Sequence, residues 1–138
     1  TPIQCSVTGT RRWTSEKTAS MVLDELKDLS KEIADDGKLT LDVLMEHERE
    51  PFEVSIHDSA VRATASAHRQ ITGNEPEYIG LRIVGDANLY VHGCGLPTFY
   101  YGPSNETAHA DVEWVSVERM ASAASVYALS AIEYCGLH

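Results

Sequence analysis

No apolar run in the sequence approaches the ~18 residues that a membrane-spanning helix needs, so nothing in it reads as a bilayer span and the chain reads as soluble. Cysteine is scarce. Cys5, Cys94 and Cys135 are an odd number with no CxxC spacing, which argues against a disulfide framework and against a zinc ribbon. A reducing, cytoplasmic compartment fits that usage. Basic residues are also few: 11 against 21 acidic ones give a formal charge of -10, which repels phosphate backbones and anionic lipid and removes nucleic acid and membrane surfaces from the expected partners. Cations and small substrates remain. Five prolines and a 43% hydrophobic content describe a globular chain rather than a disordered one. Neither an internal repeat nor a low-complexity segment is present, and no GxSxG elbow, P-loop, HExxH or GxGxxG occurs. The chain starts at Thr1 rather than Met with no basic-then-apolar leader, so that start reads as a processed, cleaved or cloned boundary.

What is present fills one domain or two partial ones over 138 residues. Ile3 to Val7 and then Trp13 offer a short strand. Val22, Leu26, Leu29 and Ile33 recur at helical spacing, predicting a helix from Ser15 to about Ala34, capped by Thr14 or Ser15 with Gly37 beyond its end. Leu39, Leu41, Val43 and Met45 alternate with mostly polar neighbours, the period of a half-buried strand. Residues 1–48 therefore read as β-α-β. HEREPFEVS (47–55) is charged, contains Pro51, and reads as a crossing between domains. Beyond it, Asp58 or Ser59 caps a helix running to about Thr72 with Gly73 as a left-handed stop; Val61, Ala65, His68 and Ile71 share one face. Tyr78 to Val84 reads as a strand, Asp86 opens a short helix ended by Gly93 and Gly95, Pro97 to Tyr101 reads as a buried strand, and a last helix runs from about Ser116 to Tyr134. Alternating helices and strands predict an α/β fold with a parallel or mixed sheet.

The chemistry concentrates between Gly95 and Val115, GLPTFYYGPSNETAHADVEWV. Gly102 and Pro103 end the expected strand, and His109 follows from a loop between Ala108 and Ala110. Spacing alone makes a single loop histidine more often a surface residue than a metal ligand. Asp111 and Glu113 read either as carboxylates orienting the imidazole or as a solvated acidic loop, the latter favoured for Asp111. Asp86 follows Gly85 where a carboxylate caps a helix or faces a ligand, with Asn88 just beyond as a hydrogen-bonding candidate. Arg11 and Arg12 precede Trp13, and an arginine fork suits a substrate carboxylate; exposed arginine at a strand end is equally ordinary. His68 reads as a core or boundary residue. His47 and His57 belong to the charged crossing, while His92 and His138 carry no signal.

These residues resemble the dizinc aminoacylase, carboxypeptidase, acetylornithine deacetylase and succinyl-diaminopimelate desuccinylase family, along essentially the whole chain and specifically its C-terminal part. GLPTFYYGPSNETAHADVEWV is similar to the family's strand, Gly-Pro-Gly turn, Ala-His and downstream acidic residue. GDANLY (85–90) resembles its Asp-containing junction at one rim of the substrate cleft, and GTRRWTSEKTASMVLDEL (9–26) the strand and helix of its inserted lid domain. The resemblance implies the end of a β-α-β lid, or dimerisation, domain in residues 1–48, and in 49–138 the C-terminal half of an α/β zinc-exopeptidase-like catalytic domain. It implies that His109 is a zinc ligand, with Glu113 and Asp86 supporting the site from behind. Arg12, Asn88, Gly102, Pro103 and Ser104 correspond to substrate-binding positions. Two zinc ions, with cobalt or manganese as alternatives, would serve the intact enzyme.

The departures from the family pattern fall on the substrate side. Ser104 replaces the second glycine of the turn, Val112 stands where Asp or Asn commonly precedes the acidic residue, and Asn88 stands where several members place arginine. Most metal ligands, the general-base glutamate and the lid's catalytic histidine would come from an N-terminal half of the same enzyme, so no catalytic residue is assigned to this chain. The expected function is then that of a piece, inactive alone, of a hydrolase that cleaves an N-acyl amino acid or small peptide. Its expected partners are its own N-terminal half, the substrate, and a second copy through the lid. The alternative is a non-catalytic α/β binding or interaction module that keeps the scaffold.

Overall fold

A computed structural model of the chain describes residues 3–103 and 106–136. Four helices make up its regular structure: α1 (Ala19–Gly37), α2 (Ser59–Thr72), α3 (Ala87–Cys94) and α4 (Val117–Cys135). They distribute over two units. The first holds the described residues up to Glu53 together with Arg82–Val84, and the second holds Val54–Leu81 and the residues from Gly85 onward.

In the first unit, Thr18 caps α1 by accepting a hydrogen bond from the Met21 N–H at 3.3 Å, satisfying one of the donors that a helix start leaves open. The helix therefore begins later than Thr14 or Ser15 would place it. It also runs through Gly37, and Lys38 takes the left-handed cap at φ 51 while its N–H bonds to the Ala34 carbonyl. Leu39 explains why the glycine still matters: a side-chain carbon at Gly37 would sit 3.0 Å from Leu39 Cδ1, so the chain folds back over a position that stays bare. Of the expected apolar face only Val22 is fully buried; Leu29 and Ile33 are about half exposed. Trp13 lies against His47 with ring centroids 5.6 Å apart, and Glu25 pairs with Lys17 and, at 3.6 Å, with Arg11.

The second unit is built on α2 against α4, the one helix pair in direct contact among the described residues. Asp58 caps α2 through the Ala60 N–H at 2.9 Å, and Gly73 closes it at φ 73, as the sequence predicts. Ser116 caps α4 by accepting from the Arg119 N–H at 3.3 Å. Small side chains are buried on both helices: Val61, Ala65 and Ala67 on α2, and Ala123 and Val126 on α4. Short side chains let two helices approach closely, and hydrophobic burial of a valine such as Val126 contributes about 2 kcal/mol. Along the edge of this pair Glu133 accepts from Ser66 Oγ at 3.3 Å and from Gln70 Nε2 at 2.6 Å.

The expected α/β fold is corrected by this structure. No strand occurs among the described residues: Ile3–Val7, the run 39–45, Tyr78–Val84 and Pro97–Tyr101 have no regular secondary structure, and neither a β-α-β lid nor a sheet-based catalytic half is formed. The physical reason lies in what alternation encodes. A period of two marks which side chains want cover, whereas a strand exists only when a neighbouring chain supplies the hydrogen-bond ladder. Here several apolar members of these segments stay in solvent: Leu39 is 57% exposed, Ile79 65% and Ile3 103%. Among the described residues no helix is long and apolar enough to cross a membrane.

Candidate functional site

The loop that carries His109 is closed by one side chain. Thr107 Oγ1 donates to the Trp114 carbonyl at 2.9 Å and accepts from the Trp114 N–H at 3.1 Å, so a hydroxyl performs the pairing that a strand neighbour would otherwise provide. The Ala110 N–H bonds to the Thr107 carbonyl at 3.0 Å, tightening the turn between them. At the base, Arg119 from the first turn of α4 bonds Glu106 at 2.8 Å. These contacts tie residues 106–114 to the start of α4.

Within that loop His109 has a φ of 66, in the left-handed region that costs a residue with a side chain energy unless its surroundings hold it there. Glu113 supplies the hold: its carboxylate accepts a hydrogen bond from the His109 backbone N–H. The acidic residue thus fixes the histidine's main chain and leaves its imidazole on the exposed side of the loop. Asp111 is exposed as well.

Gly102 and Pro103 follow Tyr101, which is held from two helices. The Tyr127 hydroxyl on α4 donates to the Tyr101 carbonyl, and the Tyr101 hydroxyl and His68 Nδ1 on α2 share a 2.8 Å hydrogen bond. Both ring pairs meet edge to face, at centroid distances of 5.7 Å with Tyr127 and 5.8 Å with His68. Burial, and then the neighbouring Tyr127 phenol, push the Tyr101 pKa above its usual 10.0, so its phenol keeps its proton. Ser104 lies outside the described residues.

At the α3 junction Asp86 occupies the cap position without a side-chain capping bond. Asn88 acts there instead: it is buried, and its Oδ1 accepts from the Gly85 N–H at 3.2 Å. Its amide is therefore part of the junction's own hydrogen bonding. A methyl group added at Gly85 would collide with the Tyr100 hydroxyl, which brings this junction against the segment leading to Gly102. Arg12 belongs to the first unit, is exposed, and offers its carbonyl to Arg11 Nη1 at 2.8 Å.

The structure thus joins His109 to Glu113 in one loop and sets Gly102 and Pro103 beside the Tyr101 anchor. Thr107, Trp114, Tyr101 and Tyr127 were not singled out from sequence. No motif spacing marks them, because each acts through a partner that only the fold brings near; His68 was legible as a boundary residue but its bond to Tyr101 was not.

A model of peptidase family M20/M25/M40 matches residues 3–133. The chain belongs to this family, whose members are metallopeptidase-type hydrolases and typically depend on a metal. No curated protein and no solved structure matches it. Among the described residues no group of three or more His, Cys, Asp or Glu side chains is close enough to hold an ion, and a catalytic zinc takes three protein ligands. One exposed imidazole does not make such a centre, so the described residues by themselves do not fit the metal.

Proposed function

We propose that this chain is the C-terminal part of a dizinc amidohydrolase or exopeptidase that cleaves the amide bond of an N-acyl amino acid or small peptide. In this reading residues 1–48 complete a lid domain and 49–138 the catalytic domain, and the remaining ligands, the general base and a second histidine come from an N-terminal half. His109 would lend one imidazole to a metal held mainly by that other half, and the metal would supply water activation and polarisation of the amide carbonyl. Glu113 sets the backbone angle from which that imidazole is presented. Arg12 binds a substrate carboxylate, Asn88, Gly102, Pro103 and Ser104 line the pocket, and Asp86 supports its rim.

The observation that carries this reading is the family match over residues 3–133 combined with a lone, deliberately held histidine. A further observation supports it. Apolar side chains of the second unit are left in water across the segments flanking the candidate site, with Ile79 65%, Val112 75%, Trp114 61% and Val117 81% exposed. Large apolar side chains left this exposed support a surface that other polypeptide covers. Zinc, with cobalt or manganese as alternatives, a cytoplasmic location and a homodimer through the lid complete the proposal.

The test is reconstitution. Metal content and amidase activity are measured for this chain alone and after mixing with a chain carrying the N-terminal half, using N-acetyl amino acids and dipeptides. Zinc-dependent hydrolysis only in the mixture, lost in His109→Ala, is the expected result. A folded complex of the two that stays metal-free and inactive overturns the proposal in favour of a non-catalytic binding module.

A further inference from the structure

The Gly102–Pro103 turn has no side chain long enough to fix itself, and a side-chain carbon built at Gly102 would meet nothing within 4 Å. Whatever holds it must act through its neighbours. On the N-terminal side the neighbour is Tyr101, and it is gripped at both ends: its carbonyl, one bond from the Gly102 nitrogen, accepts from Tyr127, and its phenol meets His68. The two grips come from α4 and α2, whose packed seam includes the fully buried Val126 one residue before Tyr127, and Ala67 one residue before His68. Each anchor therefore stands beside a point that cannot shift without disturbing the core. His68 is fixed further because its carbonyl accepts from Thr72 Oγ1 at 2.8 Å.

We propose that Tyr127 and His68 are positioning residues for the Gly102–Pro103 turn, clamping Tyr101 so that the turn is presented to substrate from a fixed place on the α2–α4 pair. The inference rests on the preceding reading of that turn as part of the substrate pocket. The Tyr127 hydroxyl donates to a backbone carbonyl, and the Tyr101 hydroxyl pairs with His68 Nδ1. Such a device fixes geometry, which suits placement rather than proton transfer.

Tyr127→Phe removes one hydroxyl and keeps the edge-to-face ring contact. In this chain, labelled uniformly with a nitrogen isotope, the backbone order parameter of Gly102 is expected to fall from about 0.85 to below about 0.6, with the amide of Val126 unchanged. In the intact enzyme, KM for an N-acyl amino acid substrate is expected to rise about fivefold with kcat held within about twofold, since one net hydrogen bond is removed from the binding geometry. Tyr101→Phe should act in the same direction. His68→Ala should as well, while His68→Asn, whose amide oxygen falls near the place of Nδ1, should restore the wild-type KM. An unchanged Gly102 order parameter in Tyr127→Phe overturns the clamp. A mobile Gly102 with an unmoved KM also overturns it, because the contact would then be structural only. Absence of activity in the wild-type intact protein would sink the amidohydrolase reading instead, and the order-parameter comparison would still decide whether Tyr127 holds the turn.

Discussion

Replacing Thr107 by valine tests whether one hydroxyl closes the His109 loop. The side chain keeps its shape and loses the oxygen, so the bonds to the Trp114 carbonyl (2.9 Å) and from the Trp114 N–H (3.1 Å) both disappear. A net hydrogen bond contributes about 1 kcal/mol, and Thr107 is only half-buried, so water replaces part of what is lost. The opening free energy of the loop should drop by about 1 to 2 kcal/mol, a factor of roughly 5 to 30 in the population of the open form. The Trp114 amide is itself one of the clasp's donors, so its hydrogen exchange reads that population directly. Exchange at Trp114 is expected to accelerate by about that factor in Thr107→Val and to stay at the wild-type rate in Thr107→Ser, which keeps the hydroxyl. Global stability should hardly change, because no side chain between 106 and 116 is buried. Equal exchange rates in Thr107→Val and wild type would refute the reasoning, as would a loss of several kcal/mol of global stability.

Val126→Ala should lower unfolding stability by about 2 to 3 kcal/mol through lost burial and the cavity left at the helix seam, whereas Val117→Ala, at a position 81% exposed, should stay within about 0.5 kcal/mol; urea titrations of both variants check the pair. Glu113→Ala should let His109 leave its left-handed backbone angle, seen as a change in its amide-to-α-proton coupling constant, while Glu113→Gln, which retains a carbonyl acceptor, should largely preserve it. The hydrogen bond from Lys17, helped by the Lys17 and Arg11 charges, holds Glu25 below the ordinary 4.5 against the opposing effect of desolvation, which is second in size. A lowered carboxylate pKa means that the pairing is fully present above the unfolded value and is lost as pH falls through the folded one. A carbon-detected titration should therefore place Glu25 below 4.5 and return it upward in Lys17→Met.

The divide between what was legible in the sequence and what was not follows the range of the interactions. Asp58 and Ser116 bond N–H groups two or three residues away, and Gly73 and Gly95 end their helices by a local backbone angle, so composition and spacing alone located α2, α3 and α4 to within a residue or two. The beginning of α1 moved from Ser15 to Ala19 because several hydroxyl residues compete there, and Thr18 is the one whose oxygen reaches a free N–H. Strands failed for the opposite reason: Leu39, Leu41, Val43 and Met45 state a preference for cover that their own neighbours cannot supply. The same logic applies to the candidate site. His109 and Glu113 lie four residues apart and were named together, although the carboxylate was expected behind the imidazole and instead holds the main chain. Tyr101, His68 and Tyr127 are separated by 33 and 26 residues, so their meeting depends on α2 lying against α4. That dependence makes a single physical link between core and site: what Val126 and Ala67 secure by packing, Tyr127 and His68 pass on to the turn by hydrogen bonds, and a lesion in the seam should loosen Gly102 before it unfolds the helices.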